Sequence, residues 1–217
     1  MSRGVLVISD LSSRQKRQEM RYLSRCYRLP LKLVTWGSWR KISHSARAIL
    51  PVIGLHADRS GKSFPGIKKI MEMSGYYKAS TVRKGLRSLM ENELLTKGRE
   101  GRHNAYNLNK DVIWKGGSYF PMAEYLFTKG WWAKLLPCEK AVFIVLAVKG
   151  AIENPDVPEE FTEEALDEKI HSHGIIQPTK WLILAGVNKQ SWYNALSGLC
   201  KKHWIGMTKN NEYVVYR

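Results

Sequence analysis

The chain has 217 residues, 44% apolar and 11% aromatic, enough for one medium domain or two small ones and unlike a disordered composition. Its formal charge of +16 is lopsided: residues 1–120 hold 24 Lys and Arg against 8 Asp and Glu, whereas residues 121–217 hold 11 against 11. The first half therefore suits a polyanion, while the lack of any apolar run near 18 residues argues against a membrane-spanning helix.

The opening "GVLVISD" is too short for a signal-peptide core and reads as a short strand or tethered terminus. Three dispersed cysteines, Cys26, Cys138 and Cys200, do not suggest a disulfide framework and fit a reducing, cytoplasmic setting. Residues 1–40 form a basic N-terminal segment. Within it, residues 10–28 place Met20, Leu23 and Tyr27 as a thin apolar stripe on a helix with six Lys and Arg, either leaning on the next domain or ordering on nucleic acid.

Regular patterning begins near residue 41. "SHSARAILPVIGLHAD" offers Ala46, Ile49, Leu50 and Ile53 at helical spacing, with Pro51 as a kink or boundary. A loop at "DRSGKS" leads to "FPGIKKIMEM", a second helix with Ser63 as a candidate cap, Pro65 early in it and Gly75 beyond its end. The third helix lies in "SGYYKASTVRKGLRSLMENELL", residues 74–95. There Val82, Leu86 and Leu89 fall within about 60° of one another, and Ser80, Arg83, Lys84 and Arg87 face the other way. "LLTKGREGRHNAYNL" then reads as two strands around a polar turn carrying Lys97, Arg99, Arg102 and His103.

The order helix, helix, turn, helix, hairpin recurs. Sliding the chain by 110 residues superposes Thr81 on Ser191, Val82 on Trp192, Leu86 on Leu196 and Leu89 on Leu199. These patterns predict an α+β fold, mainly α with small β-hairpin wings, as two tandem copies at 41–115 and 131–217. Gly116-Gly117 and Pro121 suggest a linker over 116–130, and the second copy carries an acidic insertion at 153–169. That insertion reads as a solvated loop with a short helix, as a docking surface for a basic partner, or as a segment that folds back over the basic first half.

An α-helix fits the major groove of B-DNA, where Arg bonds guanine bidentately and Ser or Thr reaches base edges or phosphate. These residues resemble the winged helix-turn-helix family. The pattern "SARAIL…GKSFPGIKKI…GYYKASTVRKGLRSLMENELL…GRHNAYNL" is similar to the DNA-binding domains of plasmid and phage replication initiators and some bacterial transcription regulators. The resemblance implies a third helix in the major groove and a wing on the backbone or minor groove. It implicates Ser80, Thr81, Arg83, Lys84 and Arg87, with Lys97, Arg99, Arg102 and His103 on the wing. One departure is Lys78, which stands where the family's short turn ends in a capping Ser, Thr or Asn, with one extra residue before it; Asn188 fills that slot in the second copy. The matching outward residues there are Lys189, Gln190, Tyr193, Asn194 and Ser197. Gln and Asn can read adenine, but the same copy offers Trp181, Trp192 and Trp204 for self-association or partner binding, although Trp192 matches Val82 and reads better as core.

Other chemistry is weakly signalled. His171, His173, Cys200 and His203 match no standard zinc spacing, and neither a phosphate loop nor a catalytic set is visible, so neither cofactor nor enzyme activity is expected. The expected partner is double-stranded DNA, with a homodimer or partner protein through the second domain or the acidic insertion, and no membrane. A protein-binding scaffold module is the competing class; RNA fits less well, because its A-form major groove is too narrow to read.

Overall fold

The computed structural model describes residues 25–109, 112, 118–153, 172–175, 178–207 and 212–215. The acidic insertion beyond Glu153 and the basic stretch before Arg25 lie outside these residues. Strand β1 (Cys26–Pro30) leads into α1 (Leu31–Thr35) and α2 (Ser38–Lys41). Then follow α3 (His44–Leu55), β2 (Lys62–Ser63), α4 (Ile67–Ser74), α5 (Ala79–Glu91), β3 (Leu95–Glu100) and β4 (His103–Leu108). The second half runs β5 (Tyr119–Ala123), α6 (Glu124–Thr128), a 3-10 turn at Trp132–Lys134, α7 (Pro137–Glu153), β6 (Ser172–Ile175), α8 (Pro178–Ala185), α9 (Lys189–Lys201), β7 (Ile205–Met207) and β8 (Glu212–Val215).

Local chemistry sets several boundaries. Ser43 begins α3, its hydroxyl accepting from the Ala46 amide at 3.2 Å. Gly75 ends α4 at φ +80°, a left-handed turn open to glycine at little cost. Pro51 lies within α3, fully packed, rather than at its end. Three expectations are corrected. Ser63 does not cap the second helix: it is a buried strand residue donating to the Ile53 carbonyl at 2.7 Å, and α4 starts after Gly66. Tyr27 is not on a helical stripe but in β1, buried, with its hydroxyl on the Val112 carbonyl at 2.9 Å. The stretch expected as a linker carries β5 and α6, whose Phe120, Met122, Leu126 and Phe127 enter the core. Its glycines and proline misled because punctuation residues mark turns whether or not the flanking chain is packed.

The two halves have the same element order after their first helices, and their sheets the same strand order, β2-β4-β3 and β6-β8-β7. They also contact each other reciprocally. An offset of 93 relates Gly37 to Gly130, both left-handed, and Trp39 to Trp132, both wholly buried. The two-stranded sheet pairs Cys26 with Ala123 and Pro30 with Tyr119, so each strand meets the counterpart of its own opposite end. Trp132 donates its indole N–H to the Ala48 carbonyl at 2.9 Å, and Trp39 donates to Ala141, the counterpart of Ala48, at 3.4 Å. Such exchange is the mark of an isologous interface, here closed within one chain.

The glycines ending the second helices obey the same rule. A Cβ on Gly75 would strike the Ala133 carbonyl, and one on Gly186 would meet the Arg40 carbonyl at 3.1 Å. Beside Gly186, the buried Arg47 guanidinium donates to the carbonyls of Ala185 (2.7 Å), Trp39 and Arg40 (both 2.9 Å). Its burial pushes the pKa down to about 10. One contiguous apolar core, including Ile49, Leu86, Phe143 and Leu196, runs through both halves.

Candidate nucleic-acid interface

Helix α5 is anchored by its back. Val82, Gly85, Leu86 and Leu89 are buried, and a Cβ on Gly85 would come within 2.9 Å of the Ser45 backbone, so glycine lets α5 lie directly on α3. The Ser43 amide donates to Ser88 Oγ at 2.9 Å, fixing the helix along its axis. The opposite face carries Ser80, Arg83, Lys84 and Arg87, all exposed, with Thr81 half-buried at the edge. Hairpin β3–β4 follows in register from Leu95↔Leu108 to Glu100↔His103, turning at Gly101-Arg102. Lys97, Arg99, Arg102 and His103 are all exposed on it.

No acidic side chain among the described residues pairs with Arg83, Lys84, Arg87, Lys97, Arg99 or Arg102. The nearest ion pair in the wing joins Lys62 of β2 to Glu100 at 3.4 Å. Among the described residues these six cations, on one helix face and its adjoining hairpin, are exposed and without an acidic partner, an arrangement suited to exchanging counterions for phosphates. Residues 40–95 match the family model of a helix-turn-helix domain. This segment covers α3, α4 and α5 and ends where the hairpin begins. No characterised protein and no solved structure matches the chain.

In the helix-turn-helix segment, α4 and α5 are joined by Gly75-Tyr76-Tyr77-Lys78. Lys78 is the residue before α5, and it makes no side-chain cap. In the second half Asn188 accepts from the Ser191 amide at 2.8 Å and closes the corresponding end of α9. Along α9, Lys189, Gln190, Tyr193 and Asn194 are exposed, as expected, but Gln190 Nε2 donates to Asn194 Oδ1 at 3.0 Å and engages that amide pair with itself. Trp192 and Trp181 are buried, and Trp204 packs edge-on to Phe143 with ring centres 4.7 Å apart. Trp192 lies in the core, as its match to Val82 leads one to expect, and Trp181 and Trp204 pack there too rather than facing a partner. Among the described residues, the large apolar groups exposed in this half are Trp131, Leu136, Ile183, Tyr193 and Met207.

Among the described residues no group of three or more His, Cys, Asp or Glu is placed to hold a metal ion, and no helix is long and apolar enough to cross a membrane. His171 lies outside them. Arg47 and Tyr77 escaped the sequence reading. For Arg47 no local signal exists, since a lone Arg in an apolar helix gives no hint of carbonyls from another element. For Tyr77 the signal was the extra residue before Lys78.

Proposed function

We propose that the chain is a sequence-specific double-stranded DNA-binding protein built from two winged helix-turn-helix repeats, residues 26–108 and 119–215. In this reading α5 enters the major groove, with Arg83, Lys84 and Arg87 toward base edges and Ser80 and Thr81 on bases or phosphate. The hairpin lays Lys97, Arg99, Arg102 and His103 on the adjacent backbone or in the minor groove. A cytoplasmic, nucleoid-associated replication initiator of the plasmid or phage type, or a transcriptional regulator, is the role that fits. The observation carrying the proposal is the division of α5 into a core-locked back and an unpaired cationic front continuous with the wing.

Selection of fragments from a random duplex pool by the full chain, followed by titration at about 0.1 M salt, tests it. Recovery of a common motif bound at least a thousandfold better than random duplex supports the proposal. Equal affinity for every duplex refutes it.

A second reading concerns the other repeat. Where α5 has Arg83 and β3 has Lys97, α9 has Tyr193 and β7 has Met207, both exposed. This neutral face favours a protein partner over phosphate, as in a scaffold module of a nucleoprotein complex. Gln190 and Asn194 reading adenine, with Lys189 as the one cation beside them, is the DNA-binding counterpart.

A further inference from the structure

Tyr77 is the residue by which the two repeats differ in length at the turn before the third helix. The turns begin alike: the Tyr76 amide donates to the Met71 carbonyl at 3.1 Å, and the Val187 amide to Leu182 at 3.1 Å, so Tyr76 and Val187 correspond. Both pack against the core. Lys78 and Asn188 correspond as the residues preceding α5 and α9. The second repeat passes from Val187 straight to Asn188, whereas the first inserts Tyr77 between them. The inserted side chain is 95% exposed, the most of any large apolar or aromatic residue described.

A tyrosine there contributes little to the fold. Its place is the leading edge of α5, beside Lys78 and ahead of Ser80 and Arg83. When the N-terminal residues of a recognition helix point at base edges, the chain just before them passes the sugar-phosphate rim, where Tyr hydroxyls are common donors.

We infer that the Tyr77 hydroxyl donates a hydrogen bond to a backbone phosphate at the edge of the groove that α5 occupies, positioning the helix without reading sequence. The inference rests on the duplex-binding reading above. A neutral donor displaces no cation, so this contact adds affinity without adding to the salt dependence, unlike each Lys or Arg on phosphate.

The test uses the full chain and the duplex recovered from the random pool, with Tyr77→Phe, Tyr77→Ala and Arg83→Ala compared with wild type between 50 and 200 mM salt. Tyr77→Phe and Tyr77→Ala are both expected to weaken the recovered and a scrambled duplex alike, by about tenfold, with an unchanged salt slope. Tyr77→Phe binding like wild type overturns the inference, whether or not Tyr77→Ala is weakened, because only the hydroxyl is at issue. In that event a loss for Arg83→Ala shows that the duplex-binding reading survives. If the pool yields no preferred duplex and none of the variants changes binding, that reading fails and takes the Tyr77 contact with it. Thermal unfolding of the Tyr77 variants should match wild type, since the side chain is solvated.

Discussion

Trp39 and Trp132 each reach across the same internal boundary in opposite directions, one indole on the Ala141 carbonyl and the other on Ala48. Both are wholly buried, so the two halves share these side chains rather than merely touching. Trp132→Ala is expected to cost about 3–5 kcal/mol, and Trp39→Ala the same range. Each variant should still unfold in one cooperative urea transition, because loss at the boundary undermines both halves together. Two separated transitions by circular dichroism would show that the repeats are independent.

The two halves also solve one local problem differently. In the second, Tyr213 donates its hydroxyl to the Leu146 carbonyl at 3.0 Å. In the first, Ser63 takes the carbonyl of Ile53, the counterpart of Leu146, and the buried Tyr106 hydroxyl has no partner among the described residues. Tyr106→Phe should therefore raise stability by up to about 1 kcal/mol, whereas Tyr213→Phe should lower it by about 1 kcal/mol. Chemical denaturation of the two variants checks the opposite signs; equal losses would contradict the account.

Much of this was legible in the sequence, for a definite reason. The third helix could be oriented because Val82, Leu86 and Leu89 return with helical period and the charges fill the complementary face. The shared element order of the two halves could be glimpsed because α5 and α9 superpose without a gap. Its beginning could not, since the correspondence is 93 residues before the acidic insertion, 110 or 111 from β6 to β7 after it and 107 in the last strand, and no single shift captures them all. A shift of 110 therefore does not align Trp39 with Trp132, and the Gly and Pro around β5 read as a linker. Trp181 and Trp204 were treated as surface candidates because periodicity says which face is apolar, not what covers it.

Lys140 offers a test by pH. The counterpart of Arg47 on α7, it is 2% exposed and donates to the Leu135 carbonyl, with Glu139 and Lys202 nearby. Burial, against the opposing pull of Glu139, brings its ammonium from 10.5 down to about 8. A folded pKa below the unfolded one means that below about pH 8 both states are protonated and the full penalty for burying the charge is present. As pH rises from about 8 toward 10.5 the folded state sheds the proton first, and that penalty is relieved. Lys140→Met lacks this dependence. Its stability advantage over wild type should be greatest near pH 7 and shrink by roughly 3 kcal/mol by pH 10.5. Other groups titrate alike in both proteins and cancel in the comparison of urea midpoints. A gap that stays constant with pH would show that the ammonium escapes to solvent.

The final prediction separates reading from holding at the proposed DNA interface. Arg83 and Arg87 project from the exposed face of α5, the face that the proposal turns toward the groove, while Arg99 stands on the hairpin beside it. A base-reading arginine contributes only when its guanine is present; an arginine on phosphate contributes on every sequence. Arg83→Ala and Arg87→Ala should each cost about 1–3 kcal/mol on the selected duplex and much less on a scrambled one, narrowing the preference between them. Arg99→Ala should weaken both duplexes equally and reduce the slope of log affinity against log salt by about 1. Titrations of the three variants on both duplexes at several salt concentrations distinguish the two kinds of loss. Uniform weakening for all three would mean that α5 rides on the backbone, and base reading would then have to come from elsewhere, with Gln190 and Asn194 of α9 the next residues to exchange.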